Sequence, residues 1–170
     1  MTVGHGDIAS VLPDRSDLLF FASGVSNSQE KRRSEYKREK DLLLKQKKSH
    51  HIVYFSTLSV FYYDTMYTRH KKQMERLIKK NFKKYAIMRI GNITWGKNPN
   101  TLINFFRQQI NDGKQLTIRD EYRYIVDKDE FLHWINMIPK WPVEMNLTGR
   151  RMKVQQIIDE YCHIGFRKEI

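Results

Sequence analysis

Apolar residues fall along the chain in short unbroken runs separated by longer, charge-rich stretches with helical spacing. Leu18-Leu19-Phe20-Phe21-Ala22 lies between Asp17 and Ser23-Gly24, the signature of a strand buried on both faces. Residues 29–48 contain no Gly or Pro and carry Tyr36, Leu42, Leu43 and Leu44 on a charged background, which predicts an amphipathic helix. A second strand is expected over 52–55, ending at Ser56-Thr57. Met66, His70, Met74, Leu77 and Ile78 then recur at helical spacing, so a helix is expected over 67–82. Residues 86–90 read as a third strand closed by Gly91-Asn92. A helix is expected over 102–110, after the Asn98-Pro99-Asn100 turn. Further on, 116–118, 124–126 and 143–147 are strand candidates, and 128–137 and 151–161 are expected helices, the former stopped by Pro139.

Strands alternating with helices predict a parallel α/β sheet flanked by helices, in one domain over 1–170. The chain has 170 residues, 40% of them hydrophobic and 12% aromatic, enough for a packed core and too many for a disordered chain. The lone Cys162 excludes an intrachain disulfide and is read as inert; it suggests a reducing compartment, and a cytoplasmic setting is expected. No run of about 18 apolar residues occurs, so no membrane span is expected. The first nine residues lack the pattern of a signal peptide. Lys and Arg number 31 against 19 Asp and Glu, a net charge of +12 that suits phosphate-bearing partners.

Three motifs carry candidate chemistry. Gly4-His5-Gly6-Asp7-Ile8-Ala9 fits G-x-G-x-x-A, in which Gly4 permits a tight turn, Gly6 lets backbone approach a pyrophosphate and Ala9 lets a following helix pack closely. Tyr67 and Lys71 stand at i and i+4 of a helix and share a face; an ammonium beside the phenol is expected to pull the tyrosine pKa down and fit it for proton transfer. Phe55-Ser56-Thr57-Leu58-Ser59-Val60 puts hydroxyls at the C-terminal end of a buried strand, the edge where open α/β sheets bind ligands. The same hydroxyls serve equally well as turn or helix caps.

In this order the pieces resemble the extended short-chain dehydrogenase/reductases, the NAD-dependent nucleotide-sugar epimerases, dehydratases and reductases. Phe20-Phe21-Ala22-Ser23-Gly24 resembles the strand and small-residue turn that meet the cofactor, and Val53-Tyr54-Phe55-Ser56-Thr57 the strand bearing the catalytic hydroxyl. Tyr67 and Lys71 match the catalytic pair. Met88-Arg89-Ile90-Gly91-Asn92 matches the strand before a substrate-contacting Asn, and Tyr122-Arg123-Tyr124-Ile125-Val126-Asp127 the later Arg-bearing segment. The resemblance implies a nucleotide-sugar substrate and NAD or NADP as cofactor. The catalytic residues would be Thr57, Tyr67 and Lys71, and the cofactor would meet Gly4, Gly6, Ala9, Ala22, Ser23, Gly24 and Lys71. Substrate would meet Ser56, Asn92 and Arg123, with residues 92–170 supplying the substrate side.

The chain departs from the family pattern in length, and residues 9–18 leave no room for the second and third strands that hold the adenosine half of the cofactor. Asp14 and Asp17 come too early to serve as the acid on the ribose, and only nine residues separate Thr57 from Tyr67. The expected fold is therefore a reduced Rossmann-like sheet without those two strands. Its open edge predicts a homo-oligomer. His50, His51 and His70 lack partners at ligand spacing, so no metal site is expected. The basic clusters Lys31-Arg32-Arg33, Lys79-Lys80 and Lys83-Lys84 lack interleaved aromatics, so nucleic acid is not an expected partner. Two other readings stay open: a degenerate, non-catalytic binding or assembly protein, and a basic nucleic-acid-binding protein.

Overall fold

The computed structural model describes residues 1–162. Its main sheet is parallel throughout, in the order β1 (Thr2–Val3), β2 (Leu19–Phe21), β3 (His51–Thr57), β4 (Lys84–Ile90), β7 (Val143–Leu147). Successive strand residues point to opposite faces, and both faces are covered. On one, Leu18, Phe20, Val53, Phe55, Ala86 and Met88 pack against Phe131 and Ile135 of α4 (Lys128–Asn136). On the other, Leu19, Phe21, Ile52, Tyr54 and Ile87 pack against Leu43 of α1 (Arg33–Leu44) and against Met74 and Ile78 of α2 (Met66–Asn81). This double coverage is why the strands read as unbroken apolar runs.

A smaller sheet lies beyond the C-terminal end of β4, in the order β5 (Asn92–Ile93), β6 (Tyr122–Val126), β8 (Arg150–Lys153). Its β6–β8 pair is antiparallel, and it packs with α3 (Leu102–Asn111) and α5 (Val154–Tyr161) around Ile103, Phe106, Ile125, Ile157 and Ile158.

The reduced Rossmann-like architecture expected from the sequence is the one observed. β1 pairs directly with β2, and residues 4–18 between them form one 3-10 turn (Ala9–Val11) and no strand. Four local expectations need correction. The α-helix expected after Ala9 is only that 3-10 turn, because Pro13 brings no amide to extend it. The helix expected over 29–48 is confined to Arg33–Leu44, since Glu30 accepts the Lys31 and Arg32 amides and holds a turn before it. Residues 116–118 form no strand, for no neighbouring strand offers them a ladder. Residues 150–153 are a strand rather than the start of a helix, because they pair with Tyr122–Ile125 and the Arg151 guanidinium stacks 3.8 Å above the Tyr122 ring.

Candidate functional site

The C-terminal ends of β2, β3 and β4 open onto a cavity of about 830 Å³. Gly6, Ala22, Ser23, Gly24, Ser56, Thr57, Tyr67, Lys71 and Asn92 line it, so nine of the expected site residues meet there. Gly4 and Ala9 do not. Gly4 serves the turn instead: at φ +123° a Cβ would sit 2.4 Å from the Ala22 carbonyl oxygen, so only glycine lets β1 leave the sheet here. Arg123 lines an adjoining cavity of about 320 Å³, which shares Thr57, Gly91 and Asn92 with the first.

Each hydroxyl and amide has local work. Thr57 accepts from the Ser59 amide at 3.1 Å and caps the 3-10 turn Leu58–Phe61, while its side chain still faces the cavity. Ser56 points to the other side of the strand, where its hydroxyl donates to Glu75 Oε1 at 2.6 Å, and Glu75 in turn holds Arg89. The Ser56 hydroxyl is thus engaged away from a substrate, and what it offers the cavity is its place in the wall. Asn92 donates to the Tyr124 carbonyl at 3.1 Å, which ties β5 to β6. Arg123 donates to Glu121 Oε2 at 2.6 Å and lies 5.8 Å from the Tyr63 ring centre.

Tyr67 and Lys71 lie on the inward face of α2, whose first turn is fixed by a capping box between Thr65 and Thr68. The Lys71 ammonium is 5.7 Å from the Tyr67 ring centre. The phenol is not depressed as the spacing suggested. Burial pushes it above its ordinary value; the Lys71 charge and the Thr57 hydroxyl pull the other way, and the Glu39 carboxylate reinforces the rise.

Glu39 is the residue that sequence reasoning missed. It reaches in from α1, is fully buried, and accepts from the Val25 amide (2.7 Å), the Tyr54 hydroxyl (2.7 Å), His70 Nε2 (3.0 Å) and Lys71 Nζ (3.2 Å). Burial alone would raise its carboxyl, but Lys71, His70 and the Val25 amide outweigh burial and hold it at about 2. The signal was present: Tyr36, Glu39 and Leu43 stand at i, i+3 and i+7, so the acid falls on the apolar stripe.

The residues present fit the nicotinamide half of a dinucleotide. A Cβ on Gly6 would meet nothing within 4 Å, leaving room for a ligand against the backbone, and the Ala22-Ser23-Gly24 turn lines the same cavity as Tyr67 and Lys71, with Gly24 close against the lysine. Among the described residues no strand or α-helix lies between β1 and β2, where an adenosine half would be held. Nor do three His, Cys, Asp or Glu side chains converge among them as a metal site. No helix of the described residues is long and apolar enough to cross a membrane.

No protein-family model matches the chain, and no curated protein matches it. Solved structures do. UDP-glucose 4-epimerase from Thermotoga maritima, crystallised with UDP-glucose, superposes with a TM-score of 0.62 at 15% identity over 90% of this chain and 62% of its own. The enzyme WbmG of Bordetella bronchiseptica, in complex with NAD and UDP, gives 0.59 at 14% identity over 84% and 55%. The dTDP-4-dehydrorhamnose reductase of Bacillus anthracis, in complex with NADP, gives 0.60 at 13% identity over 84% and 61%. The chain has the Rossmann-like fold of these enzymes. It spans only 55–62% of their length.

Proposed function

We propose that this chain carries the catalytic part of an NAD(P)-dependent oxidoreductase or epimerase acting on a nucleotide sugar. The observation that carries the reading is the meeting of Thr57, Tyr67 and Lys71 at the C-terminal end of β3, in one cavity with the Ala22-Ser23-Gly24 turn. A bound nicotinamide would supply or take up the hydride. Lys71 would hold its ribose and Tyr67 would exchange a proton with the reacting sugar oxygen, which Thr57 would orient. The phenol is neutral at rest, since burial raises it, and so starts as the donor when a carbonyl is reduced. Arg123 and Asn92, in the adjoining cavity among Tyr62, Tyr122 and Tyr124, would meet the rest of the substrate, with residues 92–170 forming its side of the cleft. The two-residue edge strand β1 would be covered in a homo-oligomer, which light scattering at about tens of micromolar tests.

Calorimetric titration of NAD(H) and NADP(H) into the wild-type protein and Gly6→Trp tests the reading. Micromolar binding lost in the variant supports it, and Tyr67→Phe should then lower turnover of a nucleotide-sugar substrate by about 10²–10⁴-fold. Absence of dinucleotide binding by the folded protein overturns it in favour of a non-catalytic binding protein. That second reading draws on the lack of an adenosine-half holder among the described residues.

A further inference from the structure

Buried carboxylates are costly, and Glu39 is buried to the last atom. It lies beneath the cavity, not in its wall, and no step of the proposed chemistry uses it. Its four partners come from separate parts of the chain: the loop after β2, strand β3, and two neighbouring residues of α2. A carboxylate placed only to tie α1 to the sheet would need no cation. This one meets the ammonium that faces the candidate catalytic tyrosine.

We infer that Glu39 is a positioning residue: it anchors Lys71 at the cavity floor and thereby sets the balance between phenol and phenolate at Tyr67. Lys71 is 2% exposed and is held from three sides. Glu39 Oε1 lies at 3.2 Å, and the ammonium sits 5.1 Å from the Tyr54 ring centre and 5.7 Å from that of Tyr67. The close approach of Gly24 shuts the fourth side, for a Cβ there would lie 2.7 Å from Lys71 Nζ and 3.0 Å from Glu39 Oε1. The lysine therefore has one place to stand, and Glu39 defines it.

Glu39 also offsets the charge that Lys71 presents to the phenol. The groups around Tyr67 are few. From α1 come Glu39 and Tyr36, whose hydroxyl donates to the Glu30 carbonyl and whose ring lies 4.7 Å from that of His70. From β3 come Tyr54, which donates to Glu39, and Thr57. From α2 come His70, bonded to Glu39, Lys71, and the more distant Glu75, which is occupied by Ser56 and Arg89. The loop after β2 brings the Val25 amide to Glu39, and Arg38, which lines the same cavity, donates to Ser23. Lys71 and Glu39 thus form the charge pair that bears on Tyr67 in opposite senses. A lone ammonium would favour phenolate; the pair keeps the phenol protonated and ready to donate.

The experiment follows phenolate absorbance during an alkaline titration of the full chain, with each protein measured against its Tyr67→Phe counterpart to isolate one tyrosine. Glu39→Gln removes the carboxylate charge and should lower the Tyr67 midpoint by about one pH unit. Glu39→Asp keeps the charge and should restore much of the wild-type midpoint. Lys71→Met should raise the midpoint, and it remains informative even if Glu39→Gln fails to fold. Equal shifts in Glu39→Gln and Glu39→Asp, or no shift in either Glu39→Gln or Lys71→Met, overturn the inference. Its catalytic meaning rests on the oxidoreductase reading, but the titration needs neither cofactor nor substrate. A protein that shows the shifts and binds no dinucleotide loses that reading and keeps this one; one that binds dinucleotide without the shifts does the reverse.

Discussion

Gly24→Ala adds one methyl group to the molecule, and the structure specifies what that group meets. Its Cβ would lie 2.7 Å from Lys71 Nζ, closer than side chains tolerate, and 3.0 Å from Glu39 Oε1 and 3.4 Å from Glu39 Cδ, the former a tight contact. The lysine is a flexible side chain and would ordinarily yield, but this one is pinned. Retreat from the methyl means retreat from Glu39, and the Nζ–Oε1 separation of 3.2 Å is already long for a charge-assisted bond. Loss of that bond costs about 1.5–3 kcal/mol, since one partner stays buried and charged. Alanine returns about 0.4–1 kcal/mol by restricting the unfolded chain. The expected net loss is therefore about 1–2 kcal/mol.

Gly6→Ala is the matched control. It brings the same gain in the unfolded state, and its Cβ meets nothing within 4 Å. Urea unfolding of the two variants beside the wild-type protein, with the slopes compared to exclude a change in the unfolded state, reads the difference directly. Gly24→Ala should unfold at lower urea than the wild type, and Gly6→Ala at the same or slightly higher urea. Equal midpoints for the two variants would refute the argument, because they would show that Lys71 can leave Glu39 without cost.

The acid limb of stability should carry the signature of Glu39. Its carboxyl is lowered from 4.5 to about 2 in the folded protein, so its contribution is full above the unfolded value and fades as pH falls toward 2. On the order of 3 kcal/mol of wild-type stability is involved, and the gap between wild type and Glu39→Gln in urea midpoints should narrow from pH 6 to pH 3. A gap independent of pH would count against an ionised Glu39. Ser56→Ala leaves the Glu75–Arg89 pair in place but strands one bond of a buried carboxylate, so it should cost about 1–2 kcal/mol while leaving dinucleotide titration unchanged. Weakened ligand binding at unchanged stability would restore Ser56 as a direct contact. Phe131→Ala empties a fully buried site between Phe55 and Trp95, at ring-centre distances of 5.9 and 5.2 Å, and should cost about 3–5 kcal/mol by chemical denaturation.

How far the sequence speaks depends on whether a residue's fate is decided nearby. β2, β3 and β4 were legible because both of their faces are buried, which forces unbroken apolar runs. α2 was legible because Tyr67, Met74 and Ile78 recur at helical spacing on its buried face, even though Thr68, His70, Lys71 and Glu75 share that face. Strand β8 was not, since Arg150-Arg151-Met152-Lys153 carries no alternation of its own and becomes a strand only by pairing with β6. Residues 116–118 show the converse: a short strand-like run without a partner stays irregular. The site divides the same way. The Tyr67–Lys71 pair follows from helical spacing within one element, whereas the buried anchor beneath it joins residues 32 apart in sequence.

Period-two geometry settles the division of labour between Ser56 and Thr57. Side chains alternate along β3, so Ile52, Tyr54 and Ser56 share the face covered by α1 and α2, while Val53, Phe55 and Thr57 share the other. Tyr54 and Ser56 accordingly meet the carboxylates of Glu39 and Glu75, and Thr57 faces the cavity mouth. Shifting the strand by one residue would exchange these roles, sending Ser56 to the cavity and Thr57 to Glu75. The pairing of Thr57 with Ile90 on β4 and of Phe21 on β2 with Tyr54 fixes that register, so the sheet ladder rather than either hydroxyl decides which one a substrate could reach.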